Sequence, residues 1–578
     1  MIGPRQWLVR WSRLRRRDGG YILAMAGLTL IPLLITAGLA IDVGGQYAQA
    51  SEVQRAADAG ALAGVVWLPD LPKAQTVALD VVRRNGFATV DGTATSVTVS
   101  QVGARRLRVQ IRVPAKKYLA SQLLNTNVTI TRNSTAEYLR PIPMGSPIAS
   151  LGNDPESAAA RPQMWLNQSG PGTPKQNGDR HTSGVCNVSG FQSGCTSTGG
   201  TNVDLSDNGY QYIVRVGAAS GNPLRIQVYD PAYTFTGDNC GSNTPSGAEQ
   251  ATLQAQYAAA PVSDTRAAQR YSWANTDYCP GDQNLGTSGS NVRTTYIVRA
   301  PDATDLNLMD NPAICAVTFD SYTGSIFNRL NRTVPANLLA SGTENMPFWQ
   351  HFRRWADICS LSTYTSGDYV VQVTTTANTS APLYSRTGSL LAGTGAGSLE
   401  INDPTNVNRG HNRFSLRAGT GTTVSGTGIG LFAGGRLPIY VNQNSSNAEF
   451  YLARIEPAYA GQTLALTFFD VADTAGTASM AVLPPSEYAS AFTGCQFTRD
   501  NTVPNIIPQT NCAITGLTSA NYNARNVTLR LVLPAGYTCN VADPNGCWLK
   551  VQLTFTGAPA DTTTWAASLL GDPVRLVE

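Results

Sequence analysis

The side chains that could do chemistry are few and scattered. Two alternating runs, SGNPLRIQVYDPA (220–232) and YAGQTLALTFFDVA (459–472), each end in an aspartate, and a further acid follows each. Asp230, Asp238, Asp470 and Asp473 thus offer hard carboxylate oxygens at loop edges, a donor set suited to a structural Ca²⁺. The same carboxylates could instead cap turns by accepting from nearby backbone N–H groups. No other cofactor is expected. Ten cysteines fall between Cys186 and Cys547. Their even count reads as disulfides formed in an oxidising compartment. Zinc is disfavoured: there is no C-x-x-C pair, and His181, His351 and His411 are the only histidines. Each histidine is expected at the surface or in a cap. A G-x-S-x-G elbow and an H-E-x-x-H helix are both missing, and GTGIGLFAGG (426–435) lacks dinucleotide-loop spacing and any following helix signal. With no catalytic set, the chain is expected not to be an enzyme. Trp165, Tyr233 and Trp273 sit in loop-like contexts, where aromatics either stack on a surface glycan or fill a core.

The elements that must hold these residues are short. Charged residues make up only 14%, while Gly numbers 54 and Pro 33. Runs of Val, Thr, Tyr and Leu punctuated by Gly, Asn and Pro predict a mainly β fold. The distal half repeats itself. Gly221, Leu224, Ile226, Val228 and Asp230 align with Gly461, Leu464, Leu466, Phe468 and Asp470, and YQYIVRV aligns with EFYLARI upstream. Further on, CAVTFD (315–320) matches CQFTRD (495–500), and VQVT (371–374) matches VQLT (551–554), at a shorter spacing. The first copy therefore carries an insertion containing Cys240 and Cys279. The repeat suggests local bridges: Cys186–Cys195, Cys240–Cys279, Cys315–Cys359, Cys495–Cys512 and Cys539–Cys547. Two tandem β-sandwich or jelly-roll domains are predicted, at 163–380 and 381–578. SGDYVVQV and the Asp-terminated strands weakly resemble bacterial pre-peptidase C-terminal-type sandwiches, which occur on secreted and surface proteins.

The first third is different. Residues 1–20 carry six arginines and one acid, or +5, against +4 for the whole chain. The body is therefore nearly neutral, which excludes a nucleic-acid footprint and fits a cytoplasmic flank before a membrane span. Tyr21 to Ile41 is 21 residues without a charge, long enough to cross a bilayer as a helix. A transmembrane anchor is placed at 21–45, N-terminus inside. Ala48-Gln49-Ala50 has the small-x-small pattern of a cleavage site but lies past the apolar run. After Gly44-Gly45 a second helix is expected to about Val66, with Tyr47, Ala50, Val53, Ala57, Ala61 and Val65 on one stripe. Ala57, Gly60, Ala61 and Gly64 form a small-residue surface for close helix approach, by a partner or by the chain's own domain. Lys73–Asn85 reads as an amphipathic helix stopped by Gly86, and strands follow at 97–99, 107–113 and 128–130. A small α+β membrane-proximal domain (46–140) and a linker (141–162) complete the division.

The stretch from Arg15 to Val65 resembles the N-terminal region of the Flp (tight adherence, Tad) pilus-assembly family, of TadE/TadG-like type. The matching features are the basic Gly-containing start, the apolar span, Asp42 with a glycine soon after, and QRAADAGALAG (Gln54–Gly64). The resemblance implies a single-pass anchor in a bacterial cytoplasmic (inner) membrane. It also implies an extracytoplasmic domain acting in pilus assembly or adhesion, and other pilus components as partners. Two features depart from related proteins. Prepilin trimming needs a Glu five residues after the cut glycine, and counting from Gly20 that residue is Met25. The metal motif of von Willebrand A domains, D-x-S-x-S, is not met by Asp204-Leu205-Ser206-Asp207. The alternative function is a membrane-anchored surface protein that binds carbohydrate and has no pilus role.

Overall fold

A computed structural model describes residues 19–229, 293–376 and 410–577, apart from 303–310, 320–353 and short loop stretches. The chain divides into two compact units.

The first unit holds residues 1–140 and 572–578. Its helix α1 (Gly19–Val65) is one uninterrupted element of 47 residues. The expected break at Gly44-Gly45 does not occur. Side-chain bonds from Asp42 and Gln49 on either side hold the backbone through, and Gly45 is used for close packing instead. Helix α2 (Leu71–Arg84) buries Ala74, Ala78 and Val82 on one face. It ends where Gly86 takes a left-handed φ of +91°, which a residue with a Cβ adopts at a cost. Strands β1 (Ser96–Gly103), β2 (Arg106–Pro114) and β3 (Thr129–Tyr138) form an antiparallel meander, with the short helix α3 (Ala120–Leu123) before β3. Leu107, Val109, Ile111 and Val113 of β2 alternate inward and are all buried, as period-two patterning requires. The fourth strand comes from the far end of the chain: β25 (Val574–Leu576) pairs with β3. The sheet order is β1-β2-β3-β25.

The second unit runs over 141–302 and 308–571. Its early strands are β4 (Pro143–Gly145), β5 (Ser150–Leu151), β6 (Trp165–Ser169), β7 (Tyr210–Val216) and β8 (Leu224–Tyr229). Next come β9 (Arg293–Arg299), β10 (Ala313–Phe319), β11 (Trp355–Leu361), β12 (Gly367–Thr376), β13 (His411–Thr420) and β14 (Ile429–Gly434). Then follow β15 (Arg436–Asn442), β16 (Asn447–Arg454), β17 (Thr463–Phe469), β18 (Ala478–Leu483) and β19 (Cys495–Arg499). The last are β20 (Ile507–Gln509), β21 (Ala513–Leu517), β22 (Asn526–Val532), β23 (Trp548–Phe555) and β24 (Ala560–Leu569). They form a 10-stranded sheet, β10-β9-β12-β7-β14-β4-β16-β23-β18-β21, and an 11-stranded sheet, β11-β8-β13-β6-β15-β24-β17-β22-β19-β20, with β5 beside β13.

The fold is mainly β, as expected, but the two repeats do not close into separate sandwiches. They share both sheets. The reason is the chain from β4, inside the segment 141–162 expected to be a linker, to β6 just beyond it. Met144 of β4 pairs with Ala433 of β14 on one side and Ala453 of β16 on the other. In the other sheet, Leu166 of β6 pairs with Phe414 of β13 and Ile439 of β15. One stretch of chain thus supplies the seam strand of both sheets. It satisfies the backbone donors and acceptors that two sandwich edges would otherwise expose. The boundary expected at residue 380 moves for the same reason, because β13 and β14 pair with β8 and β7 of the first copy.

The repeat itself is real in space. Strands β7 and β12 pair through Tyr212 and Val371, as β16 and β23 do through Phe450 and Val551. The match of CAVTFD with CQFTRD is not spatial. The first lies on β10 in the ten-stranded sheet, the second on β19 in the eleven-stranded one. The strand that occupies the place of β10 is β21, two neighbours out from β23. The facing sheets share aromatic cores. Phe414 meets Tyr212 and Tyr296 edge-on at 6.1 and 5.5 Å, and Trp565 meets Phe450 and Phe468 at 4.8 and 5.0 Å.

Candidate functional site: the N-terminal helix on its sheet

Helix α1 has two halves with opposite environments. From Tyr21 to Ile41 the apolar side chains face outward; Leu23 is 77% exposed and Leu28 71%. This half is long and apolar enough to cross a membrane. Beyond it Val53, Ala57, Ala61 and Val65 are fully buried, while Tyr47, expected on the same stripe, is 75% exposed.

The switch between halves is Asp42. Its carboxylate is buried and accepts from the backbone N–H groups of Tyr118 (2.9 Å), Leu119 (3.2 Å) and Ser121 (2.9 Å) and from Ser121 Oγ (2.8 Å). These are the orphan donors at the start of α3, which a carboxylate caps well. One turn on, Gly45 makes room for the Tyr118 ring; a Cβ there would lie 2.3 Å from Tyr118 Cε2. Gln49 donates to Pro114 O (3.1 Å) and accepts from Lys116 N (2.8 Å). Gln54 reaches Asn133 O at 3.1 Å. Three successive turns of α1 are thereby fixed to the end of β2, to α3 and to β3.

The small-residue surface has the chain's own domain as its neighbour. A Cβ on Gly60 would sit 2.5 Å from Val82 Cγ2, and one on Gly64 2.6 Å from Leu107 Cδ2 and 2.8 Å from both Ala74 O and Ala78 Cβ. Ala57 and Ala61 are buried in the same core. The glycines let α2 cross α1 with backbone nearly touching side chain.

Residues 20–67 match the family model described as putative Flp pilus-assembly TadE/G-like. The matched stretch is α1 and the turn after it. The TadE/G-like segment therefore includes both halves of the helix: the exposed apolar one and the one that carries Asp42, Gln49, Gly60 and Gly64. No curated protein and no solved structure gives a match.

Outside this segment the remaining candidate residues fall as follows. Disulfides join Cys186 to Cys195, Cys315 to Cys359, Cys495 to Cys512 and Cys539 to Cys547. The second and third tie one large sheet to the other. Cys240 and Cys279 lie outside the described residues. Of the four aspartates considered for calcium, Asp470 alone is described. It is 1% exposed with a φ of +64°, and its Oδ1 accepts from Ala524 N–H at 2.5 Å. Asp230, Asp238 and Asp473 lie outside the described residues. Trp165 is no glycan platform. It is 2% exposed, packed with Tyr229 and Tyr440; Tyr233 and Trp273 are not described. His181 and His411 are buried rather than at the surface, because both lie on or beside the central strands; His351 is not described. Gly426–Gly435 forms a turn running into β14 and lines a cavity of about 800 Å³ with Arg215, Phe432, Arg454 and Trp548.

One cluster went unseen in the sequence. The loop after β6 buries Lys175 completely. Its Nζ donates to Asn202 Oδ1 and Asp204 Oδ2, both at 2.7 Å, and lies 5.4 Å from the centre of the Phe469 ring. Arg180 Nε also donates to Asp204 Oδ2, at 3.0 Å. Burial pulls the Lys175 ammonium down to about 8 although Asp204 opposes the shift. Burial, aided by Arg436 and Arg180, pulls His181 down to about 3. For Asp204 burial works upward, but hydrogen bonds from Arg180 and Lys175 outweigh it and hold the carboxyl below its usual range. Nearby, Asp179 accepts from Ser169 N (2.7 Å), Thr182 N (3.0 Å) and Tyr210 Oη (2.7 Å). A signal was present: from residue 141 onward the chain has only two lysines, Lys175 and Lys550, among many arginines.

Proposed function

We propose that this chain is a membrane-anchored, extracytoplasmic structural protein of the Flp/Tad pilus system, acting in pilus assembly or surface attachment. The observation that carries the reading is the coincidence of the TadE/G-like match, residues 20–67, with a helix that is apolar and exposed at one end and docked to a folded domain at the other. Its anchor holds the chain in the bacterial inner membrane, with the arginine-rich start inside. The disulfides support an oxidising location for the body. Retention of the anchor is supported by Ala48-Gln49-Ala50, which lies within the continuous helix with Gln49 bonded on both sides to the chain after β2. The description of the matching family, pilus assembly, supports a structural rather than a catalytic role.

The test is a clean deletion of the gene in its own host, with complementation by the wild-type chain. Loss of pili or of surface attachment on deletion, restored by wild type but not by a chain lacking residues 1–45, is the expected outcome. Normal pili and normal attachment without the protein would refute the proposal. Labelling of single cysteines introduced before Gly19 and after Ile41 in intact cells checks the topology separately.

A further inference from the structure

Lys175 and Lys550 are the two amine side chains of the distal unit, and they live in different places. Lys550 pairs with Glu449 at 3.0 Å at the surface. Lys175 has no exposure at all, and its amine faces an amide rather than a lone acid. Buried cations are more often arginine, which stays charged; lysine can lose its proton and become a nucleophile.

The groups around that amine are those an acyl transfer needs. The Nζ lies 2.7 Å from Asn202 Oδ1, so the side-chain carbonyl carbon is one bond further. The same Oδ1 accepts from the backbone N–H of Asp204 at 3.0 Å, a donor aimed where negative charge would develop. The amide nitrogen of Asn202 is held by Arg180 O at 2.8 Å and Ser183 O at 2.6 Å. The Asp204 carboxylate touches the amine at 2.7 Å, so it can take a proton from the attacking nitrogen. Phe469 closes the site on one side. Gly194, with a φ of +77°, closes it on another: a Cβ there would lie 2.1 Å from Asp204 Oδ2 and 2.7 Å from Lys175 Nζ. Burial already moves the amine toward its neutral form near pH 8.

We propose that Lys175 and Asn202 condense into an intramolecular isopeptide cross-link. The neutral Lys175 amine attacks the Asn202 side-chain carbonyl carbon. An N–C bond forms to give a tetrahedral centre whose oxygen is held by the Asp204 N–H. Asp204 takes a proton from the attacking nitrogen and delivers it to the departing one. The C–Nδ2 bond breaks and ammonia leaves. One amine and one carboxamide become one secondary amide plus ammonia, and no oxidant or external reagent is consumed. The new bond closes a ring around the Cys186–Cys195 disulfide and survives reduction, unlike the disulfide. The inference stands independently of any pilus role.

Mass spectrometry of the full-length protein, reduced and purified in detergent, decides it. The expected result is an intact mass lower than the sequence mass by one ammonia, and after proteolysis a branched peptide joining Lys175 to Asn202. Lys175→Arg and Asp204→Ala should each restore linear peptides over both positions. The wild-type measurement is decisive even if a variant fails to fold. Linear wild-type peptides with unmodified Lys175 and Asn202 would overturn the proposal. So would a branch lighter by water that joins Lys175 to Asp204.

Discussion

Replacing Gly64 with leucine should prise α2 away from α1. A Cβ at this position would lie 2.6 Å from Leu107 Cδ2 and 2.8 Å from Ala74 O and Ala78 Cβ. Carbon atoms rest at about 3.5–4.0 Å, so the elements must separate by roughly 1 Å, and Ala74 O is backbone that cannot swing aside. Overpacking of this kind costs about 1–3 kcal/mol. Leucine recovers about 0.8 kcal/mol of helix propensity over glycine, but its further carbons have nowhere to go. The steric cost at the upper end of that range, less the propensity gain, leaves a loss of about 2 kcal/mol for Gly64→Leu and a smaller loss for Gly64→Ala, whose single added carbon meets only the first contacts. Gly44→Ala is the control, because nothing lies within 4 Å of a Cβ there. The assay is hydrogen exchange by mass spectrometry on the full chain in detergent, read over α2. A loss of about 2 kcal/mol speeds exchange there by roughly thirty-fold, while Gly44→Ala leaves α2 unchanged. Equal protection of α2 in Gly64→Leu and wild type would refute the argument that these glycines exist for close approach.

Deleting residues 572–578 should destabilise the first unit selectively. It removes the pairing of Val574 and Leu576 with Tyr138 and Ala136 and the bond from Val577 N to Thr135 O, about 2–3 kcal/mol at roughly 1 kcal/mol per bond; faster exchange over 135–138, with the distal unit unchanged, is the readout. Replacing Cys315 and Cys359 by alanine releases a span of 44 residues and should cost about 4 kcal/mol, against about 2.5 kcal/mol for Cys539 and Cys547, 8 apart. Urea midpoints in the reverse order would contradict the loop-entropy account. Acid should destabilise the distal unit through His181. Its folded value of about 3 lies below the usual 6.5, so between those values the unfolded chain binds a proton that the folded chain does not, and stability falls as pH drops from 6.5 toward 3. His181→Asn should flatten the urea midpoint across that window, measured at pH 7, 5.5 and 4; an unchanged slope would show that His181 is not responsible.

Much of the local structure was legible because it depends on period and reach. The alternation of Leu107, Val109, Ile111 and Val113 specifies a half-buried strand wherever it sits. The charge-free run from Tyr21 to Ile41 specifies an apolar helix long enough to span a bilayer, and the spacing of Gly60 and Gly64 specifies a close crossing. The cysteine pairings read from the repeat coincide with the four bridges among the described residues, even though one alignment behind them placed Cys495 opposite the wrong strand. Local loop length constrains a disulfide more than strand identity does.

What the sequence left open are long-range matters, where backbone hydrogen bonding and shape choose among patterns that look alike. The segment 141–162 reads as a linker because three-residue strands such as β4 have no period to detect; only the two unpaired sheet edges on either side of it make it a seam. For the same reason the two repeats merge into shared sheets, and β25 crosses the whole length of the chain to finish the sheet beside α1. Lys175, Asn202 and Asp204 carry no motif. They become a site only because the loop after β6, with Gly194 in a left-handed turn, folds one amine, one amide and one carboxylate into the same dry space. Sequence by itself determined the long apolar helix, the strands and the family likeness of the first helix. Tertiary structure decided which edges meet and which polar groups lose water together, since both depend on what the rest of the chain brings alongside.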